Sequence, residues 1–336
     1  MYTDEDLGKA VDKNIFSQSS VNEFRNYMAE VNHTVAVDEE NFRLITGFND
    51  VFVVIASGLL LASIAWLGAS ISPVLGALAL STASWVLAEL FVLRRRMALP
   101  AIALLLTFLG GVFAAPILFA GNLNQQPSEM AFVLSGILTI IAARIHWQRF
   151  MVPITIAAGT AAAIACVLGI IISLFPGAQT SILPMVFVAG LITFGLAMYW
   201  DSADRKRQTR HSDVAFWLHL VSAPMIVHPI FTSLGILQGV ESLYSSFIVI
   251  GLYILLAMIS IAVDRRAIMV SALVYVVYAF SSLLDNYGMV SSSFAITGVC
   301  IGATLLLLSV FWQLSRKKVL KLIPDSMQIH LPELKV

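Results

Sequence analysis

Two histidines lie within one long apolar stretch of the chain, VAFWLHLVSAPMIVHPIFTSLG. His219 lies toward the end that meets a basic loop and His228 toward the other end, with Pro224 and Pro229 close by. An imidazole can accept and pass a proton near neutral pH. Each proline removes a backbone donor, so the pattern predicts a kinked or interrupted helix whose freed carbonyls could face a substrate. The two imidazoles could instead bond those carbonyls.

A polar stripe runs along another apolar stretch. Tyr275, Tyr278, Ser282 and Asp285 recur at steps of three, four and three, which places them on one helical face. We expect this face to point into a helix bundle, with Asp285 near the depth of His228, where the two could relay a proton or coordinate a cation. A structural role remains open, because tyrosine is common at membrane interfaces. The predicted substrate or proton pathway comprises His219, His228, Tyr275, Tyr278, Ser282 and Asp285.

Further acidic and imidazole groups gather where apolar stretches meet basic loops. Glu89 lies about one turn inside such a stretch and is expected to reach Arg94. Aspartates and a histidine of the other loops lie beside Arg205, Arg207, Arg265 and Arg266. We interpret these groups as a rim network of charges that locks the loops together, in preference to a metal site. The rim network comprises Glu89, Asp201, Asp204, His211, Asp213 and Asp264.

Ten apolar runs must position these groups. The chain is 59% hydrophobic and 12% charged, with a mean hydropathy of +0.88, which excludes an ordinary soluble domain. A bilayer core needs about 20 helical residues, and the long runs without two-residue alternation predict helices rather than barrel strands. The predicted spans are Val51–Ala69, Pro73–Leu93, Pro100–Ala120, Met130–Trp147, Val152–Phe175, Ile182–Trp200, Val214–Leu234, Leu243–Val263, Ala267–Leu284 and Ser292–Leu314.

The positive charges predict how these spans are oriented. All 20 Lys and Arg residues fall on one side of the series of predicted spans, and the loops on the other side carry none. Basic loops stay in the cytoplasm, so both termini are predicted to be cytoplasmic. The first apolar run begins only near Val51, so we expect that span itself to direct insertion.

Three regions follow from this plan. Residues 1–50 form an acidic cytoplasmic segment with ten acids and four bases, in which Thr3 with Asp6 and Ser20 with Glu23 predict capped short helices. Residues 51–314 form an all-α transmembrane bundle. Residues 315–336 form a basic juxtamembrane tail, whose Ser315–Ile323 segment is typical of an interfacial helix on anionic lipid at the cytoplasmic face.

Basic turns recur near Arg95, Arg149, Arg207, Arg265 and Lys317, at intervals of 52 to 58 residues. Each interval has the length of one helical hairpin. The series of spans can therefore be a repeat of five hairpins, two inverted halves of five spans, or simply a regular multispan chain.

The segments MYTDEDLGKAVDKNIFSQSSVNEFRNYM, VDEENFRLITGFNDVF and DVAFWLHLVSAPMIVHPIF resemble uncharacterised polytopic inner-membrane proteins of proteobacteria. In that group a short helical pair precedes about eight to ten spans. The resemblance implies a multi-pass protein of a bacterial inner membrane, and it assigns no reaction to any residue. Ten spans also match the drug/metabolite transporter plan in outline, although that plan does not require an acidic head.

Three functions are compatible with the sequence. The first is a secondary transporter or permease-like protein for a small solute. The second is a non-enzymatic membrane scaffold that binds a partner or lipid through its head or tail. The third is a membrane enzyme that uses Asp201, Asp204, His211, Asp213 and His219. No nucleotide, hydrolase or metalloprotease motif is present, so we expect no catalytic residue, cofactor or metal and no nucleic-acid partner.

Overall fold

The structure is a computed structural model, and it describes residues 4–31, 48–121, 129–205, 207, 209–235, 243–286, 293–328 and 331–333. These residues are helical throughout and contain no β-strand. The α-helices are α1 (Asp4–Asp12), α2 (Gln18–Val31), α3 (Phe48–Ile71), α4 (Pro73–Ala88), α5 (Ala98–Gly121), α6 (Glu129–Phe150), α7 (Ile154–Leu174), α8 (Ile182–Ala203), α9 (Arg210–Ser233), α10 (Leu243–Val263), α11 (Ala267–Asn286), α12 (Ser293–Val310), α13 (Trp312–Leu320) and α14 (Asp325–Gln328). A π-helical turn, Glu89–Arg94, extends α4, and a 3-10 helix, Pro176–Ser181, precedes α8.

The two short helices predicted before the first span are present, but the second begins earlier than expected. The hydroxyl of Ser17 accepts a hydrogen bond from the backbone N–H of Ser20 at 3.1 Å, which makes Ser17 the cap of α2. The capping box predicted at Ser20 is therefore shifted by one turn. Thr3 lies outside the described residues.

Seven helices in the described part of the chain are long and apolar enough to cross a membrane. They are Phe48–Ile71, Pro73–Arg94, Ala98–Gly121, Met130–Phe150, Ile154–Leu174, Gly177–Ala203 and Arg210–Ser233. The bent pair Ala295–Val310 and Trp312–Leu320 raises the number to eight if it counts as one span. Two shorter apolar helices, Phe247–Val263 and Ala267–Ser281, lie where the eighth and ninth spans were predicted.

The tenth predicted span, Ser292–Leu314, does not continue straight to its end. The chain bends by 76° at Phe311, between α12 and α13. After the bend, Trp312 and Arg316 are buried, and both side chains hydrogen-bond to polar groups. These bonds hold α13 at an angle to α12, which apolar periodicity could not reveal.

Helix α9 lies at the centre of the bundle. It contacts α7, α8 and α11, and 56% of its apolar stretch is buried, against 17–39% for the other six long spans. The sequence predicted that Pro224 and Pro229 kink or interrupt this helix. The helix is not interrupted: α9 is continuous from Arg210 to Ser233 and contains both prolines. Packing against α7, α8 and α11 offsets the loss of two backbone donors.

Four turns on the side of the bundle that carries the basic loops, here called the basic side, share one backbone feature. Arg96, Met151, Arg207 and Asp264 have positive φ angles of 53°, 51°, 54° and 60°. Non-glycine residues rarely adopt this conformation, yet here it recurs at intervals of 55, 56 and 57 residues along the chain. The regularity favours a repeated helical hairpin as the building unit.

Small residues allow the closest helix contacts in the first part of the bundle. Gly111 of α5 lies against α4, where Ser81 donates a hydrogen bond across the interface to the carbonyl of Phe108 at 3.1 Å. A Cβ at Gly111 would overlap the Ser81 hydroxyl and lie 2.6 Å from the carbonyl oxygen of Ala77. The neighbouring Gly110 has no atom of another segment within 4 Å of that position.

This difference gives a matched test of the α4–α5 interface. We expect Gly111→Ala to lower the free energy of unfolding by about 1–3 kcal/mol, because the added methyl group overpacks the contact. Gly110→Ala should be neutral or slightly stabilising, since alanine favours helix. Thermal unfolding of the two variants in the same detergent would compare them, and equal midpoints would contradict the described packing.

Candidate functional site

The carboxylate of Asp201, near the end of α8, is the first centre of a buried charge network. Arg265 donates to Oδ1 at 2.6 Å and to Oδ2 at 3.3 Å, and Nε2 of His219 lies 2.9 Å from Oδ2. A carboxylate only accepts hydrogen bonds, so Nε2 must carry the proton. Arg265 also donates to the carbonyl of Ser212 at 3.0 Å. Asp201 and His219 are fully buried, so this cluster joins α8, α9 and the start of α11.

Asp264, in the turn between α10 and α11, is the second centre. Its Oδ2 accepts from Arg207 at 2.8 Å and lies 3.5 Å from the guanidinium of Arg316. Its Oδ1 accepts from the indole N–H of Trp312 at 2.6 Å. All four side chains are buried. One carboxylate thus connects the α8–α9 turn, the α10–α11 turn and α13.

The two clusters contain three guanidinium groups but only two carboxylates. Backbone carbonyls accept hydrogen bonds from the guanidinium groups and so offset the excess of positive charge. Arg207 donates to the carbonyls of Val263 and Asp264 at 3.4 and 2.9 Å, at the end of α10 where the helix dipole is negative. Burial, and then the positive charge of Arg265, lower the pKa of Arg207 from its ordinary value, while the carboxylates of Asp264 and Asp201 oppose this change. The buried positive charge is therefore stabilised by specific acceptors.

The basic tail folds back onto this network. Arg316 donates to the carbonyls of Pro332 and Glu333 at 2.6 and 3.1 Å, and Arg205 donates to the carbonyl of Leu331 at 2.9 Å. The predicted interfacial helix is present as α13, but Arg316 is fully buried. Arg316 therefore faces protein carbonyls instead of the lipid surface that the sequence suggested.

Glu89 lies apart from the other predicted members of the rim network, whereas Asp204 and His211 both contact Thr209. Glu89 accepts from Arg149 at 2.8 and 2.9 Å, although the sequence pointed to Arg94. Asp204 accepts from the backbone and hydroxyl of Thr209. His211 lies 3.0 Å from the same hydroxyl.

Asp213 is half-buried in the first turn of α9, where a carboxylate complements the helix dipole. Within the described residues, no group of three or more His, Cys, Asp and Glu side chains is arranged to hold a metal ion.

The predicted pathway residues divide between two regions. His219 belongs to the Asp201 cluster on the basic side. His228 lies toward the opposite end of α9, where its Nδ1 forms a short hydrogen bond with the hydroxyl of Tyr275 on α11. Tyr275 is buried and stacks on Phe231 with ring centroids 4.7 Å apart. The two histidines therefore do not form one site.

The remaining pathway residues lie further along α11. Tyr278 is half-buried, beside the cluster that contains Tyr275. Ser282 and Asp285 lie on the same helix, but their side chains fall outside the described part of the structure, so the predicted approach of Asp285 to His228 stays a prediction.

One face of α9 is open despite the helix's central position. Leu220, Pro224 and His228 follow one another at steps of four residues and are exposed, whereas Leu218, Val227 and Phe231 on other faces are fully buried. Leu220 is 40% exposed. The most buried span of the bundle thus has one uncovered stripe that ends at a hydrogen-bonded histidine.

The sequence reasoning missed another buried histidine, His146 of α6. Its ring lies among Phe150, Phe108 and Trp85, with centroid distances of 4.5, 5.7 and 5.9 Å. Nδ1 lies 3.3 Å from the hydroxyl of Thr155, and Nε2 has no hydrogen-bond partner among the described residues. The signal was available, because a histidine inside a predicted span is itself unusual.

Comparison of the chain with protein-family models, with curated proteins and with solved structures gives no match. Any assignment of function therefore rests on this geometry.

The Asp264 cluster gives a direct test of the network. We expect Asp264→Asn to lower the free energy of unfolding by about 3–5 kcal/mol, because Arg207 and Arg316 would lose their buried counter-charge. Asp12→Asn removes an exposed carboxylate at the end of α1 and should change stability by less than about 0.5 kcal/mol. Unfolding followed by circular dichroism during titration with a denaturing detergent would measure both. Similar losses in the two variants would show that the network contributes little.

Proposed function

We propose that the protein is a secondary transporter or permease-like protein of a bacterial inner membrane, with about ten spans and both termini in the cytoplasm. Its substrate is a small solute, and α9 is the helix along which the solute passes. The observation that carries the proposal is the open face of α9, formed by Leu220, Pro224 and His228 on the most buried span. The proteobacterial resemblance supports the membrane assignment.

Exposure of an imidazole to lipid is energetically costly, and this cost favours water next to the open face of α9. A polar side chain in hydrocarbon costs several kcal/mol unless it is paired or hydrated. Tyr275 satisfies Nδ1 of His228, while the side chain itself remains exposed. Water next to this face would hydrate the imidazole and would also provide a path for a polar solute.

The charge network suggests which part of the bundle stays fixed. It ties α8, α9, α11 and α13 together on the basic side through buried groups. By contrast, the described contact between α9 and α11 near His228 consists of side-chain hydrogen bonds of Tyr275 and apolar packing. We propose that the helices pivot on the basic side, and that the His228–Tyr275 contact opens and closes as His228 gains and loses a proton.

Two other functions receive less support. A scaffold would recruit a partner through its acidic head or basic tail. Lys317, Lys318 and Lys321 of the tail are exposed, but Arg316 and residues 331–333 are bonded to each other on the basic side, so only part of the tail is available. An enzyme at the rim requires reactive groups that face substrate. His211 is exposed and Asp213 half-buried, but Asp201 and His219 are fully buried and bonded to one another.

Cysteine labelling tests the open face without knowledge of the substrate. In a background where Cys166 and Cys300 are replaced by alanine, we expect Leu220→Cys and His228→Cys to react with a charged thiol reagent in intact membranes, because the reactive thiolate forms in water. Leu306→Cys of α12, whose parent side chain is 71% exposed, should be unreactive because it faces lipid. Unreactive α9 cysteines would place the open face in lipid and would contradict the transport proposal.

Proton coupling has a separate test. In liposomes containing the purified protein and a trapped pH indicator, we expect solutes that the wild-type protein transports to carry protons with them. The variant His228→Ala with Asp285→Asn should lose this proton movement, because it lacks the groups proposed to bind the proton. His211→Ala removes an exposed histidine on the basic side and should retain it. Full pH-dependent transport by the double variant would rule out this coupling mechanism.

A further inference from the structure

A cavity of about 460 Å³ lies on the basic side, apart from the charge network and from the open face near His228. It is bounded by the turn between α4 and α5, the turn between α6 and α7, the first turns of α9 and a residue of α1. Its volume falls in the range of ordinary small-ligand sites. Nothing in the proposed transport mechanism requires this cavity.

Three basic side chains line the cavity. Lys9 comes from α1, Arg96 from the α4–α5 turn and Arg210 from the start of α9. No acidic side chain occurs among the described residues of its wall. The charged side chains that line the described wall are therefore all basic.

Helix direction adds to this positive potential. Three helices begin at the cavity wall, α5 at Ala98, α7 at Ile154 and α9 at Arg210, and all three residues contribute to the lining. The first N–H groups of a helix lack intrahelical acceptors and carry a partial positive charge. The start of a helix is a common position for a bound phosphate. The starts of α5 and α7 lie beside the three cations of the cavity, whereas the start of α9 is already capped by Thr209 and carries Asp213 in its first turn.

The rest of the wall is apolar. It includes Phe150 and Trp217, which also pack in the core around α5, together with Ala101 of α5. A free inorganic anion would leave the exposed part of the half-buried Trp217 against water. An acyl chain would cover this part, and its headgroup would lie at the ends of the spans, where the basic side meets the membrane surface.

We propose that this cavity binds one anionic phospholipid from the leaflet on the basic side, which the charge distribution predicts to be the cytoplasmic leaflet. The headgroup phosphate lies between Lys9, Arg96 and Arg210. One acyl chain lies against Phe150 and Trp217. The bound lipid bridges α1, the two turns and α9, and so attaches the acidic head to the bundle.

Native mass spectrometry of the detergent-purified protein tests the headgroup. We expect dioleoyl phosphatidic acid to bind more tightly than dioleoyl phosphatidylcholine, which carries no net charge. The variant Arg96→Gln with Arg210→Gln should bind phosphatidic acid at least roughly tenfold more weakly, given about 1 kcal/mol for each basic residue at a lipid surface. Arg95→Gln with Arg144→Gln removes two exposed charges outside the cavity and should bind as the wild type does. Equal binding by the two double variants, or equal binding of the two lipids, would overturn the proposal.

A second variant tests the position of the acyl chain without a change of charge. Ala98→Trp places an indole at the half-buried first residue of α5, which lines the cavity. We expect it to weaken phosphatidic acid binding by a similar factor while the thermal midpoint stays close to that of the wild type. Unchanged affinity in this variant would show that the chain lies elsewhere. Complete displacement of phosphatidic acid by millimolar inorganic phosphate would show that the site recognises the anion alone, and would overturn the lipid assignment.

Discussion

Two carboxylates buried next to the membrane, Asp201 and Asp264, set the arrangement of the second half of the chain. A charge in apolar surroundings is tolerated only when a counter-charge and hydrogen-bond donors reach it. Asp201 obtains them from Arg265 and His219, and Asp264 obtains them from Arg207, Arg316 and Trp312. The helices that carry these groups cannot separate on the basic side without leaving a charge unpaired. The arginines whose positions predict the orientation of the loops are therefore also structural counter-ions of the folded bundle.

The first part of the bundle is held together differently from the second. Around α5, the core consists of leucines, alanines and the aromatic rings that surround His146, with polar contacts limited to hydroxyls such as Ser81 and to the exposed Glu89–Arg149 pair. Around α9, buried ions determine how the helices meet on the basic side. Apolar contacts have no preferred direction, whereas ion pairs require a particular geometry. The ion pairs therefore fix the relative orientation of the helices on the basic side.

The sequence was sufficient to predict an all-α architecture and the positions of most long helices. Apolar runs and basic loops are local features of the sequence, and they reflect the need of each span to be apolar and helical in lipid. It was not sufficient to predict partners that are distant along the chain. Glu89 was assigned to Arg94, five residues away, but it pairs with Arg149, which only the packing of α6 on the rest of the bundle brings near. The bend at Phe311 depends on acceptors for Trp312 and Arg316 in other segments. The uninterrupted α9 likewise reflects its neighbours more than its own prolines.

Partners in the charge network are far apart along the sequence, so one partner is synthesised well before the other. Asp201 precedes Arg265 by 64 residues, and Arg205 precedes its acceptor at Leu331 by 126 residues. At ribosomal rates of about 5–20 residues per second, these intervals correspond to roughly 3–13 s and 6–25 s. During that time the nascent α8 carries a carboxylate without its guanidinium partner. The charge network of the second half is therefore completed only after the later arginines and residue 331 have been synthesised.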